Sequence, residues 1–139
     1  MTGDYRHTID VKGRLSIPAK LREELGDVFY VTIGLDNCLF AYASEDWRVI
    51  EEKIAAMPMS KAKSFQRIFF ANAARCELDS QGRILIPQRL RSYAGLEKNV
   101  TILGVSNRAE IWDAERWEKT NEEELTSENL AAAMDELGF

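Results

Sequence analysis

The sequence predicts an α+β fold in which strands from two similar halves close one small barrel-like core. Two observations lead to this fold class. A stretch of seventeen residues occurs twice in a chain of 139 residues. Around each copy, runs rich in β-branched and aromatic residues alternate with stretches that carry helix-start and helix-end residues. Each half alone would be marginal in size, so we expect the two halves to share one core.

The repeated stretch reads DVKGRLSIPAKLREELG from Asp10 and DSQGRILIPQRLRSYAG from Asp79. Seven of the first thirteen positions are identical, 69 residues apart: Asp10/Asp79, Gly13/Gly82, Arg14/Arg83, Ile17/Ile86, Pro18/Pro87, Leu21/Leu90 and Arg22/Arg91. The correspondence continues to Trp47 and Trp117, which we expect to anchor the core. Two copies are too few for a solenoid and favour a pseudo-twofold pair.

The repeat divides the chain into four segments. We expect residues 5–47 to form a first repeat, 48–73 a helical linker, 74–119 a second repeat and 120–139 an acidic helical tail. Within the linker, residues 60–74 have helical periodicity, with one apolar face made of Phe65, Ile68, Phe69 and Ala73.

Each repeat begins with a tight turn between two short strands. Asp10 and Asp79 stand first in these turns, where an aspartate can accept hydrogen bonds from the turn backbone. Gly13 and Gly82 stand fourth, where a residue with positive φ closes a bulged hairpin. We therefore predict that these four residues form the turns.

A short helix follows each hairpin. Pro18 and Pro87 suit a helix start, because a missing N–H costs nothing there, and Gly26 and Gly95 suit its end. Further strands come next, in VFYVTIGL and CLFAYA of the first copy and in NVTILGV and AEIWD of the second. Acidic first turns then predict one more helix after each pair of strands, from residues 44 and 114 onward.

The net charge of −5 is unevenly distributed along the chain. Residues 113–139 hold nine acidic and two basic residues, whereas residues 5–22 hold five basic residues and one acid, and residues 53–76 hold five basic residues and no acid. Local basic surfaces can therefore attract a polyanion in spite of the overall charge.

Composition and motifs exclude several classes. No apolar run is long enough for a membrane span, and the N-terminus lacks a signal pattern, so we expect a cytoplasmic protein. Cys38 and Cys76 are isolated and fit buried reduced thiols. His7 is the only histidine, and the sequence lacks GxSxG, HExxH, GxxxxGKS/T and GxGxxG. We predict no catalytic residues, no metal site and no cofactor.

The remaining chemistry lies in the Asp-x-x-Gly-Arg turns. Arg14 could simply pair with Asp10, but an exposed ion pair adds little stability and does not explain an arginine in both copies. An arginine on a rigid hairpin can instead bridge guanine O6 and N7 in the major groove of double-stranded DNA. The candidate DNA-binding residues are Lys12, Arg14, Lys20, Arg22, Arg83, Arg89 and Arg91, of which those on the short helices would hold phosphates.

These stretches resemble the AbrB-type DNA-binding half, whose pattern is a D-x-x-G-R turn followed by I-P and L-R. Two such halves, together with GLDNCLFAY, FQRIFFANAA and ILGVSNRAEIWD, resemble the MraZ family of bacterial regulators over residues 1–120. The resemblance implies a swapped-hairpin barrel built within one chain. It also implies a closed ring-shaped homo-oligomer, such as an octamer, that acts at the nucleoid. Such a ring would bind direct repeats upstream of its own division and cell-wall gene cluster and mainly repress it.

The family pattern transfers to Arg14 and Arg83 after the glycine, and to Arg22 and Arg91 after the leucine. AbrB-type halves often carry a further basic residue three positions before the Asp, where this chain departs from the pattern with His7 and Cys76. The second turn also has Gln81 where the first has Lys12. We therefore expect the first copy to contribute more to DNA binding.

Three other classes of protein are compatible with the sequence. An antitoxin of the same fold would use the acidic tail to bind a toxin, although the duplication and the basic linker argue against it. A ring scaffold would use the repeat for assembly only. An enzyme would need a nucleophile, base or metal constellation that the sequence lacks. Salt-sensitive binding to the DNA upstream of its own gene would separate the regulator from the antitoxin and the scaffold.

Overall fold

Strands and helices alternate along the chain in the computed structural model, which describes residues 1–139. The strands are Asp4–Thr8 (β1), Arg14–Ser16 (β2), Val28–Ile33 (β3), Leu39–Ala43 (β4), Ala74–Glu77 (β5), Arg83–Leu85 (β6), Asn99–Val105 (β7) and Arg108–Asp113 (β8). The helices are Ala19–Leu25 (α1), Ser44–Ala55 (α2), Met59–Ala71 (α3), Gln88–Ala94 (α4), Ala114–Glu124 (α5) and Ser127–Glu136 (α6). The predicted α+β class is confirmed. None of the helices combines the length and the apolar character that a membrane crossing needs.

The two copies interleave in the sheet. Six antiparallel strands lie in the order β1-β7-β8-β4-β3-β5, and β2 pairs with β6 in a separate two-stranded ribbon. The first strand of each copy therefore joins the other copy: β1 pairs with β7, and β5 pairs with β3. At the centre, β4 pairs with β8, where Leu39 lies opposite Ile111. The strand order is the same when the copies are exchanged, as a pseudo-twofold pair requires.

The closed barrel that the sequence predicts is absent, because the six-stranded sheet is open. A single bridge, between Ile9 and Leu15, connects the sheet to the β2–β6 ribbon. Each ribbon strand is only three residues long. A tight turn precedes each strand and Pro18 or Pro87 follows it two positions after its last residue. A proline has no N–H to donate, so strand pairing cannot continue past it. The ribbon strands are therefore too short to pair along their whole length with the six-stranded sheet.

The main hydrophobic core lies between the ribbon and the sheet. Its buried side chains come from both copies and include Leu15, Leu21, Phe29, Ile84, Leu90 and Ile102. Each fully buried side chain of this size stabilises the fold by about 1.5–3 kcal/mol before its entropy cost. Since neither copy supplies both walls of this core, the shared core that the sequence predicts is confirmed.

A second cluster packs α2 and α3 against β4. Trp47 is buried there and stacks on Phe69, with 5.4 Å between ring centroids, so its predicted role as a core anchor is confirmed. The same prediction is wrong for Trp117, which is half-buried and rests against the buried Trp112. The difference arises because α3 covers Trp47, whereas no helix covers the equivalent face beside Trp117.

The linker helix α3 is shorter than the sequence predicts. It ends at Ala71 because the chain enters β5 at Ala74, where the backbone pairs with Val31. Of the predicted apolar face, Phe69 is buried, but Phe65 and Ile68 remain exposed.

Both cysteines are free and buried, which confirms their predicted state. Burial, helped at Cys38 by the nearby Glu110 carboxylate, raises the pKa of the Cys38 thiol to about 12. Burial alone raises the pKa of Cys76 to about 11. Both thiols therefore stay protonated at neutral pH and are poor nucleophiles.

Candidate nucleic-acid interface

The first turn is held by one aspartate. Asp10 accepts hydrogen bonds at Oδ1 from the backbone N–H of Lys12 (3.0 Å) and of Arg14 (2.9 Å). Its Oδ2 accepts one from Arg14 Nε at 2.6 Å. Gly13 lies at φ 88°, which a residue with a side chain rarely adopts, and its N–H donates to the Asp10 carbonyl. These hydrogen bonds, above all the one from the Arg14 backbone, lower the pKa of Asp10.

The second turn repeats this geometry. Asp79 Oδ1 accepts from the N–H of Gln81 (2.8 Å) and of Arg83 (2.9 Å), and Oδ2 accepts from Arg83 Nε (2.9 Å). Gly82 lies at φ 73°. The pKa of Asp79 is lowered, mainly by the hydrogen bond from the Arg83 backbone.

The ion pair occupies only one edge of each arginine. Arg14 and Arg83 use Nε for the aspartate, and neither terminal guanidinium nitrogen forms a hydrogen bond within the chain. A guanidinium has five N–H donors, so its terminal nitrogens remain able to bind an acceptor pair. The pairing with Asp that the sequence offers as a purely structural explanation is present, and it leaves the base-binding edge free.

The two turn arginines share one surface. The register of the β2–β6 ribbon places Arg14 opposite Leu85, Leu15 opposite Ile84, and Ser16 opposite Arg83. Leu15 and Ile84 are buried in the core, and side chains alternate along a strand. Arg14 and Arg83 therefore lie on the outward face of the same ribbon, one from each copy.

Arg22 and Arg91 lie against the turn of the opposite copy. A Cβ atom at Gly82 would overlap the guanidinium of Arg22, and one at Gly13 would lie 2.7 Å from Arg91 Nε. Arg91 Nε also donates to the carbonyl oxygen of Ile86 at 2.9 Å. Both arginines are half-buried, so part of each brackets a turn. The sequence predicts only a phosphate contact for these two arginines. The repeated Gly-Arg and Leu-Arg pattern is the signal for their packing on the glycines. This pattern does not show that each arginine contacts the turn of the other copy.

The other candidates differ in their surroundings. Lys12 at the first turn and Lys20 on α1 are exposed and have no ion-pair partner in the structure. Arg89, the counterpart of Lys20, donates from Nη2 to the carbonyl of Ala71 at 3.2 Å and so caps the end of α3. Val11 at the tip of the first turn is 95% exposed, an apolar residue that sequence reasoning missed.

The positions before the aspartates do not extend the interface. His7 lies on β1 opposite Val100 and is half-buried, whereas Cys76 lies in the core opposite Phe29. The structure brings no group of three His, Cys, Asp or Glu side chains together in a metal-binding arrangement. The chemistry of this surface is thus that of arginine, lysine and exposed turn backbone.

The chain matches known proteins over its whole length. A family model described as "MraZ protein, putative antitoxin-like" matches residues 1–67 and 69–137, so each match contains one copy of the repeat. Several similar proteins carry the name Transcriptional regulator MraZ. The one from Caldicellulosiruptor saccharolyticus is 51% identical over 142 residues, which cover 100% of this chain and 99% of the relative.

Relatives from other bacteria agree. The protein from Acetivibrio thermocellus is 52% identical over 140 residues, covering 99% of this chain and 98% of the relative. The protein from Heliobacterium modesticaldum is 54% identical over 127 residues, covering 90% and 89%. With both halves matched by the family model and full-length relatives at this identity, the chain belongs to the MraZ family.

Proposed function

We propose that this protein is a transcriptional regulator that binds double-stranded DNA with the outward face of the β2–β6 ribbon. The observation that carries the proposal is the pair Arg14 and Arg83, held on one two-stranded ribbon with their terminal nitrogens free. The major groove admits a two-stranded ribbon, and arginine is the commonest reader of guanine there. The names of the relatives support the regulatory role.

Each candidate residue has a distinct role in this proposal. Arg14 and Arg83 read guanine, and Val11 contacts a thymine methyl group. Lys12, Lys20 and Arg89 bind phosphates and set the orientation on the duplex. Arg22 and Arg91 bracket the opposite turn with one part of the side chain and reach phosphate with the other. Asp10, Gly13, Asp79 and Gly82 form the turns.

The assembly and the target belong to the same proposal. The protein acts in the cytoplasm, at the nucleoid, as a closed ring of identical subunits such as an octamer. The ring displays many ribbons at once and binds direct repeats upstream of its own division and cell-wall gene cluster, which it mainly represses. Several ribbons that each bind one repeat of the same DNA molecule would raise the overall affinity well above that of one ribbon.

A footprint on the DNA directly upstream of its own gene tests this function. We expect protection of regularly spaced repeats, loss of protection with scrambled DNA of the same composition, and a steep decrease in affinity with salt. Equal binding to operator and scrambled DNA would contradict sequence-specific regulation. No binding to either at low salt would favour the ring scaffold.

An antitoxin is the second candidate, favoured by the exposed acidic tail and by the family description. A toxin partner would bind the tail and leave the ribbon free. Protection of upstream DNA that persists after substitution of tail residues would exclude the tail from the DNA contact, whatever else the tail binds.

A further inference from the structure

A solvent-filled hollow lies between the second turn and α1. It has a volume of about 680 Å³, and its wall contains Gly82 and other residues of the turn together with Arg22, Glu23 and Asp27. Arg22 is the arginine that packs on Gly82 and that reaches a phosphate in the proposed function. A phosphate bound by Arg22 would therefore lie beside two carboxylates.

These two carboxylates are not neutralised within the chain. Glu23 and Asp27 are exposed, and neither forms an ion pair. The third carboxylate of the hollow, that of Asp79, differs from them because Arg83 Nε donates to it at 2.9 Å. Glu23 and Asp27 thus add two uncompensated negative charges next to the second turn.

The other copy lacks acids at the equivalent positions. The offset of 69 residues pairs Glu23 with Ser92 and Asp27 with Leu96. Ser92 is exposed, whereas Leu96 is buried in the main core. The difference therefore lies in the residue type and not in a different path of the chain, because both pairs follow the same short helix of the repeat.

The charge around the first turn is accordingly more positive. A smaller hollow of about 200 Å³ beside α4 is lined by Arg91 and Ser92 among others, and its only carboxylate belongs to Glu97. At the tips of the turns, Lys12 adds a charge to the first and Gln81 adds none to the second. The helix side and the tip of the two turns therefore differ in the same direction.

A carboxylate beside a phosphate contact weakens that contact by repulsion. Two like charges about 6–10 Å apart in water change an affinity by about twofold to threefold. Every DNA sequence presents the same phosphates, so this repulsion acts on operator and scrambled DNA alike. It reduces the fraction of time in which the turn concerned rests on the duplex.

We propose that Glu23 and Asp27 hold the second turn off the DNA phosphates, so that the first turn dominates the contact that each ribbon makes. The two acids are specificity-determining residues that act by repulsion, which a protein can use as well as attraction to set its preferences. The inference rests on the proposed function, since it concerns the strength of the DNA contact at one of the two turns.

Neutralising one carboxylate tests the proposal. Glu23→Gln removes the charge at nearly constant size, and the affinity for operator and scrambled DNA should increase about twofold to threefold for each ribbon at low salt. The gain should decrease as salt is added, because salt screens exposed charges. Glu51→Gln on α2 is the matched control, since Glu51 is also exposed and unpaired but lies outside the hollow.

An exchange variant separates local charge from overall charge. Glu23→Ser combined with Ser92→Glu moves the carboxylate from the second turn to the first, and the net charge remains −5. Both positions are exposed, so we expect this variant to fold. In this background, the losses of DNA affinity caused by Arg14→Ala and by Arg83→Ala should become more nearly equal than in the unchanged protein.

The outcomes distinguish this inference from the proposed function. If the unchanged protein binds DNA and Glu23→Gln binds no better, or if Glu51→Gln gains as much, the repulsion is overturned and DNA binding by the ribbon is not. An exchange variant in which Arg14 and Arg83 differ as much as before would overturn it as well. An unchanged protein that binds neither DNA at low salt would overturn the proposed function and this inference together.

Discussion

At the scale of single residues, the aspartate and the arginine of each turn act together. The carboxylate of Asp10 accepts two backbone N–H groups and one guanidinium N–H, so it fixes the turn and the base of the Arg14 side chain at once. A side chain that is already oriented loses less conformational entropy when it binds DNA. Under the proposed function, the ion pair that contributes little to stability therefore contributes to recognition.

The first prediction compares the two turn arginines. Arg14→Ala should weaken specific DNA binding by about 1–3 kcal/mol for each ribbon, the range for one bidentate base contact. Arg83→Ala should weaken it less, because Lys12 adds a charge to the first turn and Gln81 adds none to the second. Titration of operator and scrambled DNA measures both variants. Arg75→Ala, at an exposed arginine on β5, is the control. Equal losses at Arg14 and Arg83 would contradict the inequality.

The second prediction concerns acid stability. The pKa values of Asp10 and Asp79 are lowered by backbone and guanidinium hydrogen bonds in the folded state. A group with a depressed folded pKa stabilises the fold above its unfolded pKa, which is near 3.8 here, and loses that contribution as pH decreases through the folded pKa. Asp10→Asn with Asp79→Asn should therefore make the free energy of unfolding less dependent on pH below about 4.

Urea denaturation at steps from pH 6 to pH 2 provides the measurement. Asp27→Asn, at an exposed aspartate outside both turns, serves as control. The turn hypothesis would fail if the double variant and the control lost stability along the same curve.

At the scale of elements, the sequence predicts what is local and misses what depends on the other copy. The turns, the helices that follow Pro18 and Pro87, and their ends at Gly26 and Gly95 all depend on neighbouring residues, so residue type predicts them. The pairing of β2 with β6 and the open sheet depend on contacts far apart in sequence, which no local signal contains.

The candidate site divides in the same way. The turn arginines could be chosen from motif and spacing alone. The packing of Arg22 on Gly82 and of Arg91 on Gly13 could not, because each pair joins two copies. Residue type also gave no sign that Trp117 lacks a covering helix and stays half-buried.

The third prediction tests this packing between copies. Gly82→Ala should destabilise the fold more than Gly95→Ala. Both glycines have positive φ, which costs a residue with a side chain about 1–2 kcal/mol. A Cβ at Gly95 meets nothing within 4 Å, whereas a Cβ at Gly82 makes the Arg22 guanidinium move away from the turn, so the additional loss is the loss of that contact.

Chemical denaturation of the single variants, and of Gly82→Ala combined with Arg22→Ala, measures the coupling. Removing the guanidinium should recover part of the loss, since residues in contact are not additive. Purely additive effects would show that Arg22 does not press on this turn.

At the scale of the whole molecule, charge is unevenly distributed between the segments of the chain. The net charge of −5 arises in the C-terminal segment, since residues 113–139 alone carry nine acids and two bases. The β2–β6 ribbon, its turns and the short helices α1 and α4 carry seven of the 18 lysines and arginines: Lys12, Arg14, Lys20, Arg22, Arg83, Arg89 and Arg91. A protein with a net negative charge can still attract a polyanion where its basic residues are concentrated on one surface.

The fourth prediction separates residues that position the protein from residues that read sequence. Lys20 is exposed on α1 without an ion-pair partner, so it suits a phosphate contact. Lys20→Ala should weaken binding to all sequences alike and reduce the slope of log affinity against log salt, because each phosphate contact releases counterions. Arg14→Ala should instead reduce the preference for the operator over scrambled DNA, with a smaller change in slope.

Binding of the unchanged protein and both variants to operator and scrambled DNA, at four salt concentrations, distinguishes these roles. The assembly state must be equal in all three, since avidity across any oligomer would multiply a loss at one ribbon. The Nε of Arg14 donates a hydrogen bond to Asp10, and the terminal nitrogens of the guanidinium are free. Removal of this side chain should therefore reduce the sequence preference of binding. If Lys20→Ala removed the sequence preference while Arg14→Ala preserved it, Arg14 would serve only to form the ion pair that holds the turn. Residues on α1 would then be the ones that recognise the DNA sequence.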